Sequence, residues 1–388
     1  MAVITLFANL AAGLNLFAVS PLLPLAIEDY DIGRWEAGLL ISMPMLMGAV
    51  MGIPGGMLVS RIGIKTALMI AWVCVGLLSL SAIAPNFQVL LLLRLFYGIG
   101  LALMFAANGP LVMQWFRRQQ VLAINAGNTA ILSLGVAASV AAAVPMAEFL
   151  GWKTVLSIYG AAGLLGAIAW TLAPEPWSRR AGRRAGISFR DVGGVLRGRI
   201  IVLLLVGDVG AIAQYTALTG WLPTFFNEIR NISLEEAGFL TSILPFIGVF
   251  AVFVGGALPL RFSFRAILVF SGVLVTVGGF GSFLSPGIVA IYAFVVVLGV
   301  GSWIYVPALL TIPMRLPGAT PEQVAVVWGS IMTFAGLGMF IWPILVGALR
   351  DMTGSFFPGF IFCAVGSSSL LICSLFLPRD MASQAADS

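Results

Sequence analysis

The chain has 388 residues, of which 60% are hydrophobic and only 9% charged. A soluble domain of this length needs a charged surface, and so few charges cannot make one, which excludes an aqueous globular protein. The net charge of +5 does not point to nucleic acid, because no basic stretch is interleaved with aromatics on a polar surface.

A helix that crosses a bilayer needs about 20 apolar residues. By that rule twelve spans follow one another, at 3–27, 37–59, 66–84, 88–115, 121–147, 153–173, 200–226, 237–260, 266–284, 287–313, 324–348 and 357–377. They are numbered spans 1 to 12 below. Their connections are short and carry helix breakers, as at Pro85-Asn86 and Ser285-Pro286-Gly287. The exception is the polar, arginine-rich segment 174–199, expected to hold a short surface helix around Ile187–Leu196. Span 1 starts almost at Met1 with no small-residue cleavage site, which argues against a removed signal peptide. Cys74, Cys363 and Cys373 lie in apolar runs, no CxxC pair is present, and histidine is absent. Disulfide frames, histidine catalysis and histidine metal sites are therefore not expected. No metal site and no cofactor is expected, and the chain is not read as an enzyme.

The chain repeats itself at a spacing of 200 residues. Gly48, Gly56, Arg61 and Lys65 recur as Gly248, Gly256, Arg261 and Arg265, and Gly98-Ile-Gly100 is echoed by Gly299-Val-Gly301. The expected fold is an all-α membrane protein of twelve transmembrane helices in two pseudo-symmetric six-helix bundles. The expected bundles are 1–173 and 200–377, with 174–199 as a basic linker and 378–388 as a tail. With the N-terminus inside, 15 lysines and arginines fall on the inner side and 4 on the outer, Arg94 lying within a span. That ratio puts linker and both termini in the cytoplasm. Such a duplicated architecture points to a secondary transporter with its substrate between the halves.

The segment Gly56-Met-Leu-Val-Ser60-Arg61-Ile-Gly63-Ile-Lys65 resembles the loop between spans 2 and 3 of the major facilitator superfamily, with Ser60 at the position of the usual aspartate. Arg94-Leu-Phe-Tyr-Gly98-Ile-Gly100 resembles that family's span-4 motif, and Trp115-Phe116-Arg117-Arg118 looks like its following inner loop. The resemblance covers the whole chain and implies the major facilitator fold. It also implies that Gly56, Ser60, Arg61, Gly63 and Lys65 form an inner gating latch, weakened by the missing carboxylate. The first half looks most like the branch of cyanate and nitroimidazole transporters, which implies small anionic or polar solutes.

Charge inside a membrane span is costly, so Arg94 and Asp208 are the first functional candidates. Arg94 shares a helical face with Gly98, Leu101, Phe105 and Asn108. It either faces a cavity and binds an anion, or holds carbonyls of a neighbouring span. Asp208 sits near the middle of span 7, with Tyr215 and Thr219 on its stripe. Burial disfavours a charged carboxylate, which suits a proton carrier. The alternative is a carboxylate permanently paired. Asn15, Asn108 and Asn128 can bond a solute or join helices, and Trp303, Tyr305 and Trp328 can line the cavity. Trp35, Trp152 and Trp221 suit the membrane interfaces better. Gly48, Gly52 and Gly56 form a small-residue stripe expected to slide against span 11.

The expected activity is secondary active transport of a small solute by alternating access. No GxxxxGK[ST] motif is present for ATP. The expected partners are a small-molecule substrate and the lipid bilayer, with protons as the candidate coupling ion. A monomer in a bacterial or archaeal plasma membrane is expected. The alternatives are a proton-coupled exporter of hydrophobic drugs or metabolites, and a receptor or sensor that reuses the fold.

Overall fold

The computed structural model describes residues 2–116, 118–172, 198–316 and 321–378. The expected linker helix at 187–196 and most of the tail lie outside the described residues. Among the described residues all regular structure is helical, and all twelve expected spans are present. Span 2 is one helix, Arg34–Ile62, span 4 is Phe87–Trp115, span 5 Arg118–Leu150, span 6 Trp152–Thr171 and span 7 Arg199–Arg230. Span 9 is Phe264–Leu284, span 11 Pro321–Thr353 and span 12 Phe357–Leu375. Span 8 is Leu234–Ala257 with a 3-10 turn to Leu260, and span 3 is Ile64–Gly76 followed by a 3-10 stretch to Ile83. Several helices extend a few residues past the apolar runs, because polar ends continue the hydrogen-bond ladder beyond the hydrocarbon core.

Spans 1 and 10 depart from the expected single helices. Span 1 is Ala2–Leu16, a 3-10 turn Ser20–Leu22, and Leu23–Tyr30. Pro21 and Pro24 lack the N–H groups a continuous helix needs there. Span 10 is Ile288–Ile304, Val306–Thr311 and the 3-10 turn Ile312–Arg315. Pro307 cannot donate to the Trp303 carbonyl, and the Tyr305 N–H bonds to that carbonyl instead.

The repeat seen in the sequence is a repeat of structure. Among the described residues, the two non-glycine residues with positive φ are Asp31 (φ 50) and Asn231 (φ 55), 200 positions apart, ending spans 1 and 7. Short polar side chains tolerate this left-handed conformation. The two glycine pairs also do the same work in each half. A Cβ on Gly98 would meet Pro44 of span 2 at 2.7 Å, and one on Gly299 would meet Leu244 of span 8 at 3.0 Å. A Cβ on Gly100 would meet the Ala71 carbonyl of span 3 at 2.7 Å, and one on Gly301 the Val275 nitrogen of span 9 at 2.7 Å. Small residues are thus required where backbones nearly touch.

Large apolar side chains cover the outside, among them Phe149, Leu172 and Val289 at 86%, 81% and 79% exposure. In water they would be an aggregation surface, but in a bilayer they are solvated. Trp221, expected to suit a membrane interface, is fully buried in the protein, its indole N–H donating to the Pro343 carbonyl at 2.8 Å.

The halves meet most closely at the end of the bundle away from the linker, called here the far end. A Cβ on Gly38 of span 2 would lie 2.8 Å from the Pro343 carbonyl of span 11, and Gly347 packs on the Arg34 backbone. On the pseudo-symmetric side, a Cβ on Gly238 of span 8 would lie 3.1 Å from the Val140 carbonyl of span 5. The Ser20 hydroxyl shares its proton between the carbonyls of Thr219 (2.5 Å) and Gly220 (2.8 Å). Because Ser20 thereby touches its own repeat position, the pseudo-twofold axis passes here. Further toward the linker, Gly336 packs on Ala49, and Thr333 donates to the Ala49 carbonyl at 3.4 Å. Two glycines of the expected stripe do not touch span 11 in this structure. A Cβ on Gly48 or Gly56 would meet nothing within 4 Å, so both border open space. The small-residue contact between spans 2 and 11 runs through Gly38, Ala49, Gly336 and Gly347, and Gly48, one residue from Ala49, faces a different side of the helix.

Candidate transport site

The break in span 1 leaves carbonyls at the end of Ala2–Leu16 without helical partners, and Arg94 fills the gap. Its Nη1 donates to the Asn15 carbonyl at 2.6 Å, its Nη2 to Leu16 at 3.0 Å and its Nε to Leu40 of span 2 at 2.8 Å. The side chain is 1% exposed, and its guanidinium lies 5.4 Å from the Tyr97 ring centre. The Tyr97 hydroxyl adds a bond to the Ala12 carbonyl at 2.6 Å. A cation at a helix C-terminus is electrostatically favourable. Of the two readings of Arg94, this arrangement is the carbonyl-holding one. Asn15 belongs to the same knot, its amide donating to the Ala11 and Tyr159 carbonyls, both at 2.9 Å.

The residue just after that helix end, Phe17, is 2% exposed and crosses the seam to meet the Tyr215 ring edge-on at 6.3 Å. Tyr215 in turn meets Trp303 edge-on at 5.4 Å. Three aromatic rings from spans 1, 7 and 10 therefore close over the seam between the halves. Phe17 escaped the sequence reading, although Pro21 signalled a break four residues on.

Asp208 is 5% exposed and accepts the Tyr305 hydroxyl at 2.6 Å. Tyr305 is buried at the interruption of span 10. Asp208 and Arg94 do not pair, each having its own partners. Thr219 contributes its backbone carbonyl to Ser20. Asn108 and Asn128 are bonded to each other at 3.1 Å, joining spans 4 and 5, and the Asn128 Oδ1 is buried without a partner. Trp328 donates to the Leu310 carbonyl at 3.1 Å, tying span 11 to the linker-side segment of span 10. In the loop between spans 2 and 3, Gly63 has φ 83, which a side chain resists. Arg61 is exposed, the Lys65 carbonyl accepts the Trp170 indole N–H at 2.9 Å, and the Ser60 side chain lies outside the described residues.

At the far end a cluster of four charges joins the halves, which the sequence reading had not assembled. Arg34 of span 2 is bonded to Glu228 of span 7 at 2.9 Å and lies 4.0 Å from Asp351 of span 11. Arg350 approaches the same Glu228 at 3.4 Å, and the Trp35 N–H donates to Asp351 at 2.9 Å. The positions 200 residues away are Leu234, Glu28, Leu150 and Gly151, so the cluster has no symmetric copy. The side chains are 19% to 29% exposed, which limits the pairing to about 1 kcal/mol. Glu228→Gln is accordingly expected to lower the far-end-closed population roughly five-fold. Spin labels at Asp31→Cys and Met352→Cys, in a background without the native cysteines, read that change as a lengthened distance. An unchanged distribution would reduce the cluster to surface decoration.

A family model described as the Major Facilitator Superfamily matches residues 5–343. The chain belongs to the Major Facilitator Superfamily. It is 24% identical to a protein of Staphylococcus epidermidis named a probable nitrate transporter, over 96% of this chain and 94% of that one. It is also 24% identical to a probable L-galactonate transporter of Escherichia coli, over 91% of this chain and 83% of that one. Among solved structures, a bacterial homologue of the human lysosomal transporter Spinster, inward-facing and occupied, superposes with a TM-score of 0.72 at 18% identity. The match covers 100% of this chain and 96% of that one. Membership, the duplicated twelve-span fold and the seam between its halves make this superfamily protein a secondary transporter.

Proposed function

We propose that the solute is a small anion, an inorganic oxoanion or a hydroxylated organic acid, and that it moves together with a proton carried by Asp208. The observation that carries this reading is the placement of Asp208. It is the one carboxylate in the middle of a span, it lies on the seam-facing stripe of span 7, and its described partner is a neutral hydroxyl. An anion entering beside a charged carboxylate is repelled, and a proton on Asp208 removes that repulsion. The nitrate and galactonate names of the relatives support the anion class. The cyanate and nitroimidazole branch is one narrower version of it. The linker end is read as cytoplasmic from the 15-to-4 charge ratio, with a monomer in a prokaryotic plasma membrane. On this reading the far end is the outer side, and its closure supports an inward-facing state. The latch role of Gly56, Ser60, Arg61, Gly63 and Lys65 belongs to the opposite state, in which the linker end closes.

The test is uptake into proteoliposomes of nitrate, nitrite, galactonate and a hydrophobic drug, with and without an imposed pH gradient. Wild type is expected to accumulate one of the anions when protons flow inward. Asp208→Asn is expected to lose at least about ten-fold of that accumulation while a thermal shift still reports anion binding. Proton-driven accumulation by Asp208→Asn removes Asp208 as the carrier, and transport of the drug alone overturns the anion class.

A further inference from the structure

Span 10 and its pseudo-symmetric counterpart, span 4, differ in a way that no packing rule requires. Span 4 is a continuous helix, whereas span 10 is interrupted at Tyr305. The residues 200 positions before Asp208, Tyr305 and Pro307 are Ala8, Phe105 and Ala107. The carboxylate, the hydroxyl that bonds to it and the proline that breaks the helix therefore occur together in one half and are all missing from the other. In the first half the same place is a small cavity lined by Ala8, Phe105 and Asn108.

The interruption divides span 10 into two parts held by different neighbours. On the far side, Ser271 of span 9 donates to the Gly301 carbonyl, and a Cβ on Gly301 would crowd Val275 at 2.7 Å, so this part is fixed to span 9. On the linker side, the segment from Val306 to Arg315 is held by the Trp328 bond to Leu310 and by Arg315 over the Phe264 ring at 5.3 Å. At the interruption itself, the Tyr305 hydroxyl donates to Asp208 of span 7.

We propose that Tyr305 is a positioning residue that reports the charge of Asp208 to this hinge. It holds the linker-side segment of span 10 while the carboxylate is charged and releases it when the proton is loaded. The inference rests on the proton-carrier reading of Asp208. Its physical basis is the strength of the bond. A hydroxyl bonded to a charged carboxylate is held about twice as strongly as one bonded to a neutral acid. At a joint where Pro307 has already removed a backbone bond, that difference decides whether the segment is pinned. The neighbours of Asp208 leave it as the charge that changes. Tyr305 faces it from span 10, and Tyr215 lies two turns along its own span. Span 11 packs Gly338 on the adjacent Val209 and Ala213, and span 12 places Cys373 beside Gly207. Spans 8 and 9 carry Glu235, Glu236 and Arg265 at their ends and no charge between. Arg94, across the seam, is committed to its carbonyls.

The experiment places spin labels at Phe262→Cys and Met314→Cys in a background without native cysteines. Both positions are exposed, at 57% and 55%, and both lie in the second half. Rigid rocking of the halves leaves their separation unchanged, whereas bending of span 10 alters it. The wild-type distance distribution is expected to shift between pH 8 and pH 5. Tyr305→Phe and Asp208→Asn are each expected to abolish the shift. Tyr305→Phe, which keeps the ring and the carboxylate, is expected to lose roughly ten-fold of proton-driven accumulation yet retain solute exchange. It should also flatten the pH profile, where a merely structural role would scale the profile without changing its shape. A wild-type shift that persists in Tyr305→Phe overturns the inference. So does a wild-type distance indifferent to pH in a protein whose proton drive is lost in Asp208→Asn, and in that case the carrier reading stands alone. Proton drive that survives in Asp208→Asn overturns the carrier reading and this inference with it.

Discussion

Gly347→Val is expected to arrest the transporter with its far end open. The Gly347 backbone of span 11 packs directly on the carbonyl and backbone of Arg34 in span 2, and the side chain has no flexible neighbour to displace. The overlap can be relieved by parting the halves. Overpacking of this kind costs about 1–3 kcal/mol, which lowers the far-end-closed fraction roughly 5- to 150-fold. The labels at Asp31→Cys and Met352→Cys should report the longer distance as the main population, and transport should fall in proportion. Gly48→Val is the control. Its Cβ borders open space, so it should leave the far-end distance at its wild-type value. A wild-type distance in Gly347→Val would mean that the seam of spans 2 and 11 is not the closing surface.

Arg94→Leu is expected to cost the fold rather than a binding step. Three backbone carbonyls lose their donors in a place that water does not reach. Each buried unpaired acceptor costs about 1–3 kcal/mol, offset in part because the guanidinium no longer has to be buried. The net expectation is roughly 3 kcal/mol, read as a drop of about 5 °C or more in the apparent melting temperature of the purified protein. Arg94→Lys should fall between, since an ammonium cannot reach three carbonyls arranged around a planar fork. Residual transport should follow the folded fraction. Wild-type thermal stability combined with lost anion binding would return Arg94 to the role of a solute ligand.

Arg94 and the pair Asp208–Tyr305 mark what the sequence could and could not convey. Hydropathy and the 200-residue repeat are enough for twelve spans in two halves, because lipid forces the backbone into helices and leaves their outer faces apolar. Asp208, Tyr305 and Arg94 stand out in the sequence because polarity inside a span is rare. Their partners do not stand out. Asp208 and Tyr305 are 97 positions apart, and nothing along the chain says that spans 7 and 10 bring them within 2.6 Å. The acceptors of Arg94 are backbone carbonyls, which have no sequence signature. Their availability depends on a break in span 1 that Pro21 allows but does not locate. The glycines of span 2 that touch span 11 in this structure are likewise not marked in the sequence. Gly48 and Gly56 repeat at helical spacing, but the spacing does not say which side of span 2 faces span 11, and here Ala49 does.

The charged cluster at the far end belongs to one seam only, with Leu234 and Leu150 at the corresponding positions of the other. Dissolved ions weaken attraction between partly exposed charges over a screening length of about 8 Å at physiological ionic strength, and they leave apolar contact nearly untouched. The salinity of the medium at that face therefore loosens one edge of the closed mouth and not the opposite edge. The resting conformation of the transporter thus answers to the ionic strength of its surroundings without any ligand having to reach the buried aromatic rings or Asp208.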